Sequence, residues 1–85
     1  MNEIEVRLRD FLVEEGHWHA PPADLKDDLP IISTVIDSVG FVNLVAMIEN
    51  EYAIEVLDED LEFENFGTIA RIAEFVARSM AQDAA

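Results

Sequence analysis

The chain contains no cysteine, so a disulfide framework, a thiolate metal site and a cysteine nucleophile are excluded. Basic side chains are scarce: five Lys plus Arg stand against nineteen Asp plus Glu, for a formal net charge of −14. That nearly excludes nucleic acid as a direct partner, because phosphate contacts come from basic groups and this field repels the backbone. An anionic membrane surface is disfavoured for the same reason. Long apolar runs are also missing. The stretch from Val39 to Ile48 is interrupted by Gly40 and Asn43 and falls well short of the roughly 20 residues a bilayer requires, so no stable membrane insertion is expected. The start, Met1-Asn2-Glu3-Ile4-Glu5, is acidic and has no apolar segment; it does not read as a signal peptide, and a cytoplasmic location is expected. The glycines Gly16, Gly40 and Gly67 are too dispersed for a loop that cradles phosphate.

What is present points to a folded domain. Apolar residues make up 51% of 85 residues, too many for an acidic disordered tail and suited to one small core. A domain of this size without staples is most easily built from local helix packing. A first helix is predicted over residues 3–15, where Ile4, Leu8, Phe11 and Leu12 make one apolar stripe opposite Arg7, Arg9, Asp10 and Glu14. Asn2 and Glu5 suit a capping box, and Gly16 a C-terminal stop. Residues 16–37 read as a long ordered loop, broken by Pro21-Pro22 and Pro30. Leu25, Leu29, Ile31, Ile32, Val35 and Ile36 can anchor it to the helices, and loops of this length are functional or packed by their own side chains.

The second helix, predicted over 38–52, carries two apolar rows. Phe41, Leu44, Val45, Ile48 and Tyr52 fit a core, while Val39, Val42, Asn43 and Ala46 line a neighbouring face. Such a helix is either unusually buried or docks a partner with its spare face. Glu49 and Glu51 close its exposed side in acid. Ala53-Ile54-Glu55-Val56 reads as an extended connector, followed by a short helix over 58–64 opened by Asp58-Glu59-Asp60, acids favoured at a helix N-terminus. A last helix over 68–80 starts at Gly67-Thr68, with Ile69, Ile72, Ala73, Val76 and Met80 as its stripe. The expectation is a single all-α domain over 1–85, a four-helix bundle with a long first loop and a short third helix.

Most candidate chemistry gives way to simpler readings. His17 and His19 have an i, i+2 spacing that zinc could use, but no thiolate accompanies them, and only Asp24, Asp27 or Asp28 lie near as further ligands. Trp18 capping the core beside solvated histidines accounts for the segment. The acids from Asp58 to Glu64 invite a calcium loop, which needs Gly at its sixth place and a bidentate acid at its twelfth. Those places hold Phe63 and Ile69. No metal site is therefore predicted. Ser33, Ser38 and Ser79 are the serines, and nothing supplies the oriented base and oxyanion donors that a serine nucleophile requires. No catalytic set assembles, and the chain reads as a binding or carrying module, not an enzyme.

Ile36-Asp37-Ser38-Val39 is the specific feature. Ser38 falls in the first turn of the second helix, after a long loop that can leave its hydroxyl reachable by a modifying enzyme. A phosphate ester there would meet free N–H groups and the positive end of the helix dipole. An N-cap formed by Asp37 or Ser38 explains the same residues equally well.

At this point the sequence resembles an acyl carrier protein, a discrete bacterial carrier of phosphopantetheine. Ile36-Asp37-Ser38-Val39 followed by Leu44-Val45-Ala46-Met47-Ile48-Glu49-Asn50-Glu51-Tyr52 resembles the Asp-Ser-Leu motif and acidic recognition helix of that family. Ile54-Glu55-Val56 with Asp58-Glu59-Asp60-Leu61, and the run from Glu64 to Ala73, resemble its third and last helices. The resemblance implies a 4′-phosphopantetheine arm placed on Ser38 by a phosphopantetheinyl transferase, and a thioester that brings thiol chemistry to a cysteine-free chain. It implies that Asp37, Val39, Val42, Asn43, Ala46, Glu49 and Glu51 meet partner enzymes through basic docking patches, and that the core between helices shelters a bound acyl chain. The carrier is expected to act as a monomer.

Some positions depart from the family pattern. Val39 stands where Leu is usual, Thr34 replaces a common loop glycine, and Gly40 and Asn43 occupy places where acids are frequent. These departures imply a specialised carrier with a restricted partner set, serving a fatty-acid, lipid or secondary-metabolite pathway. Two other readings stay open: an aminoacyl or peptidyl carrier loaded by a stand-alone adenylating enzyme, and an unmodified acidic interaction protein whose Ser38 only caps a helix.

Overall fold

Apolar residues spaced three and four apart wind into helices at four places in the computed structural model, which describes residues 3–15, 18, 24–32 and 35–84. These are α1 (Glu3–Glu14), α2 (Ser38–Tyr52), α3 (Phe63–Phe66) and α4 (Ile69–Ala84). No strand forms among the described residues, and the fold is the expected all-α, four-helix arrangement. The Asn2 cap, the Gly16 stop, the His17 and His19 pair, Pro21-Pro22, Ser33 and Thr34 lie outside the described residues.

The helices bury the stripes that their spacing defines. Leu8, Phe11 and Leu12 of α1 meet Leu44 and Ile48 of α2 and Ile69, Ile72, Ala73 and Val76 of α4 in one core. α4 packs against each of the other three helices. Leu25, Ile31, Val35 and Ile36 from the first loop enter the same core, and Trp18 lies half-buried against it. Two expectations are corrected. Ile32 points outward, 46% exposed, and Met80 is 42% exposed, while Phe75 takes a place in the core instead. α4 continues to Ala84, and none of the side chains described from Ala77 to Ala81 is buried.

The third segment is divided. A 3-10 turn covers Asp58–Asp60, and α3 begins only at Phe63. The carboxylate of Asp60 turns back to accept from the N–H of Leu57 at 3.0 Å, and its carbonyl accepts from the side-chain amide of Asn65 at 3.0 Å. Leu61 and Glu62 then leave the helical region, with ψ of 68° and 163°, so the turn cannot run on into α3. Before it, Ala53 ends α2 in the left-handed conformation at φ 54°, a common helix stop. At the start of α4, the Thr68 hydroxyl accepts from the N–H of Arg71 at 3.2 Å and so serves as its cap.

Candidate functional site

The first loop determines where α2 begins. Arg9 of α1 donates to the carbonyl of Leu25 at 2.9 Å and to the carboxylate of Asp27. Asp27 in turn offers its carbonyl to the N–H of Ala70 at 3.0 Å, and Ile31 donates to the carbonyl of Gly67 at 3.0 Å. The loop is thereby held to α1 and to the start of α4. A tight turn follows, in which Val35 and Ile36 both donate to the carbonyl of Ile31, at 2.8 and 2.9 Å. With Ile31, Val35 and Ile36 buried, the backbone leaving this turn has little freedom, and the next residues are Asp37 and Ser38.

Asp37 is extended, and its Oδ1 accepts from the N–H of Gly40 at 2.8 Å. Its carbonyl accepts from Phe41 at 2.9 Å. Asp37 is therefore the N-cap, and this resolves the ambiguity between it and Ser38. Ser38 is the first helical residue, its side chain exposed, and no hydrogen bond to its hydroxyl forms among the described residues. The first N–H groups of a helix have no acceptor within it, so a phosphoryl group on Ser38 would meet unsatisfied donors and the positive end of α2. One turn further along, Phe41 is half-buried, and its ring meets Phe66 edge-on at 5.9 Å.

The rest of α2 separates into two faces. Leu44 and Ile48 are fully buried, whereas Val39 and Val42 are 69% and 64% exposed. Asn43 and Ala46 are exposed beside them. Asp37, Ser38, Val39, Val42, Asn43 and Ala46 thus share an accessible stretch. The two acids at its far end are engaged within the fold. Glu49 is half-buried, and its Oε2 accepts from the N–H of Val56 at 2.9 Å, tying the connector to α2. Glu51 accepts from Nε of Arg7 at 2.6 Å, and Arg7 also lies 3.9 Å from Glu14. The hydrogen bond to Glu51 holds the Arg7 guanidinium above its usual pKa. Burial, then the charge of Glu51, raises the Tyr52 hydroxyl above its ordinary value.

Sequence reasoning did not find the Arg9 tether or the Glu49 anchor. Arg9 sits on the polar side of α1, and its partners come from 16 and 18 residues away. No spacing rule marks a carboxylate that reaches a backbone N–H after the helix has ended.

The geometry suits a group esterified to Ser38: an accessible hydroxyl, a cap supplied by its neighbour, and unsatisfied donors at the helix start. A family model described as phosphopantetheine attachment site matches residues 7–76, which include the first loop, Ser38 and all of α2. Among curated proteins and among solved structures, no match is found. The match covers most of the chain, and the chain belongs to the phosphopantetheine attachment site family, the carrier family that its sequence resembles, whose members hold 4′-phosphopantetheine covalently.

Proposed function

We propose that Ser38 is the attachment residue and that the chain is an acyl carrier, presenting a thioester-bound group to partner enzymes of a fatty-acid, lipid or secondary-metabolite pathway. One observation carries the reading: Asp37 performs the capping, which leaves the Ser38 hydroxyl at the head of a helix exposed and, among the described residues, without a hydrogen-bond partner. With coenzyme A as donor, Ser38 Oγ forms the new bond to the phosphorus nearest the pantetheine. The pyrophosphate bond breaks, adenosine 3′,5′-bisphosphate leaves, and a base on the transferase takes the hydroxyl proton. When bound, the arm supplies the terminal thiol that the chain itself lacks.

The chain's own residues hold and present that serine. Asp37 fixes the start of α2, and Val39, Val42, Asn43 and Ala46 offer a mixed apolar surface to an enzyme. Glu51 and the neighbouring acids draw basic docking patches towards it. Glu49 contributes its charge from a position that also secures the connector. Any magnesium used during attachment belongs to the transferase. The carrier performs no catalysis itself and works as a monomer in the cytoplasm. Among the described residues no helix is long and apolar enough to cross a membrane.

Incubating the purified protein with coenzyme A and a broad-specificity phosphopantetheinyl transferase should add the mass of one phosphopantetheine, and Ser38→Ala should add none. Absence of the gain with several transferases, or an unchanged gain in Ser38→Ala, refutes the assignment and leaves the unmodified interaction protein. An aminoacyl cargo is the second reading. The intact mass of the natively loaded carrier separates it from an acyl cargo.

A further inference from the structure

We infer that Arg7 restricts which enzymes dock on this carrier: it occupies Glu51, so only a partner whose own cation displaces it gains the use of that acid. The inference rests on the docking role proposed above for Glu51 and deepens it. Glu51 is one of the two acids at the far end of the accessible stretch of α2. Its Oε2 accepts from Nε of Arg7 at 2.6 Å, a contact between α1 and α2 that joins residues 44 apart in the chain. Both side chains keep access to solvent, 33% for Arg7 and 38% for Glu51, so a partner can reach the pair.

Two features make the pair exchangeable. Arg7 also lies 3.9 Å from Glu14, whose side chain is well exposed, so it keeps an acid beside it when Glu51 is taken. Arg7 and Glu51 both line a cleft of about 720 Å³ between α1 and α2, and Asn43, Ala46 and Asn50 line it from the α2 side. Asn43 and Ala46 belong to the accessible stretch that begins at Asp37. The face proposed for docking therefore continues into the cleft that Arg7 and Glu51 share.

The two acids differ in what holds them. Glu49 accepts from the N–H of Val56, an uncharged donor, so its negative charge still faces an approaching enzyme. Glu51 is met by a guanidinium, and the opposite charge beside it cancels much of the attraction it offers to a basic surface. Arg7 gives Glu51 one hydrogen bond, through Nε, where a facing guanidinium can give a carboxylate two. An exposed pair is weak, and parting it leaves neither charge buried. A well-placed arginine on a partner can therefore take Glu51, whereas a partner without one meets an acid already satisfied.

The test measures attachment kinetics on the full chain, with coenzyme A and a broad-specificity phosphopantetheinyl transferase as the partner. Salt is held at about 0.15 M, where charges more than about 8 Å apart are largely screened, and circular dichroism confirms that each variant folds. Arg7→Gln is expected to lower KM for the carrier about two- to fivefold, the fold equivalent of an exposed ion pair. Its kcat stays unchanged, as for a change confined to binding. Arg7→Lys, which keeps the charge, should bring KM back towards that of the unaltered chain. Arg7→Met keeps the apolar stem and serves if Arg7→Gln does not fold. The decisive comparison is a double-mutant cycle: Glu51→Gln should raise KM more in the Arg7→Gln background than in the unaltered chain, and Arg7→Gln should not lower KM in the Glu51→Gln background. Lys26→Gln removes the same charge from an exposed position in the first loop and should move KM less than about 1.5-fold. An equal fall in KM for Arg7→Gln with and without Glu51, or for Lys26→Gln, assigns the effect to net charge and overturns the inference. A KM that Arg7→Gln leaves unchanged or raises overturns it too. Glu51→Gln without effect in either background overturns the docking role of Glu51, and this inference with it. A missing mass gain in the unaltered chain overturns the Ser38 reading itself.

Discussion

Gly67 shows how one atom's worth of space connects the core to the site. Its backbone is right-handed, φ −74° and ψ −29°, so glycine's conformational freedom is not what the position uses. A methyl group built there would lie 2.5 Å from Cδ2 of Phe63 and 2.6 Å from the Phe63 carbonyl oxygen. The ring can swing aside, because Phe63 is 59% exposed. The carbonyl cannot, because it accepts from the N–H of Gly67 at 2.8 Å. The carbonyl of Gly67 itself receives the N–H of Ile31, so moving this backbone disturbs the turn that leads to Ser38. Gly67→Ala is therefore expected to destabilise the fold by about 1–3 kcal/mol, the usual scale of overpacking. Denaturant unfolding followed by circular dichroism measures this, and an unchanged midpoint would mean that the close approach is absent in solution.

At the scale of the helix, α2 has a buried face and an exposed face proposed for docking, and two truncations separate them. Leu44 is fully buried, so Leu44→Ala should cost about 2–5 kcal/mol through lost burial and the cavity left behind. Val42 is 64% exposed; Val42→Ala should change stability by no more than about 0.5 kcal/mol and yet weaken binding to a partner enzyme. Equal destabilisation by the two would contradict the division. That division was legible in the sequence because the helical period sorts side chains by angle, and Leu44 and Ile48 fall on one side while Val39 and Val42 fall on another. Ser38 was legible as a residue at the head of a helix, but whether it or Asp37 made the cap was not, since either side chain can reach the same N–H groups. The split at Leu61 and Glu62 was hidden because it depends on Asp60 and Asn65 using their hydrogen bonds outside the helical pattern. The contact between Phe41, Phe66 and Phe75 was hidden as well. Phe41 reads as a core residue of the second helix and Phe75 falls outside the stripe expected of the last one, and only the packing of three helices brings their rings together with that of Phe66.

Charge acts on the molecule as a whole. Asp24, Asp27 and Asp28 in the first loop, Glu49, Glu51 and Glu55 around the end of α2, and the run from Asp58 to Glu64 place acid on several sides of the fold. Five basic side chains face nineteen acids, so ion pairs such as those of Arg7 with Glu51 and Glu14, and of Arg9 with Asp27, cannot balance a net charge of −14. Partly exposed pairs of this kind contribute little, about 0–1 kcal/mol each, so what salt removes from them is smaller than the self-repulsion it relieves. The screening length falls from about 30 Å at 0.01 M to about 8 Å at 0.15 M, a range that covers separations across a domain of this size. Raising sodium chloride through that range should therefore raise the melting temperature, and a divalent cation should do so at lower concentration; a flat or falling melting curve would show that repulsion does not limit this fold. The same screening weakens the field proposed to draw a basic enzyme surface towards Ser38. Association with a partner, measured by stopped flow over the same salt series, should slow while the carrier alone becomes more stable. Because the first turn of α2 carries no acid and Asn43 follows in the next, the proposed steering rests on the loop and the far end of the helix. An Asn43→Asp variant should then speed encounter with a basic partner while lowering the melting temperature at low salt, and a change of both quantities in the same direction would separate docking from the charge that opposes folding.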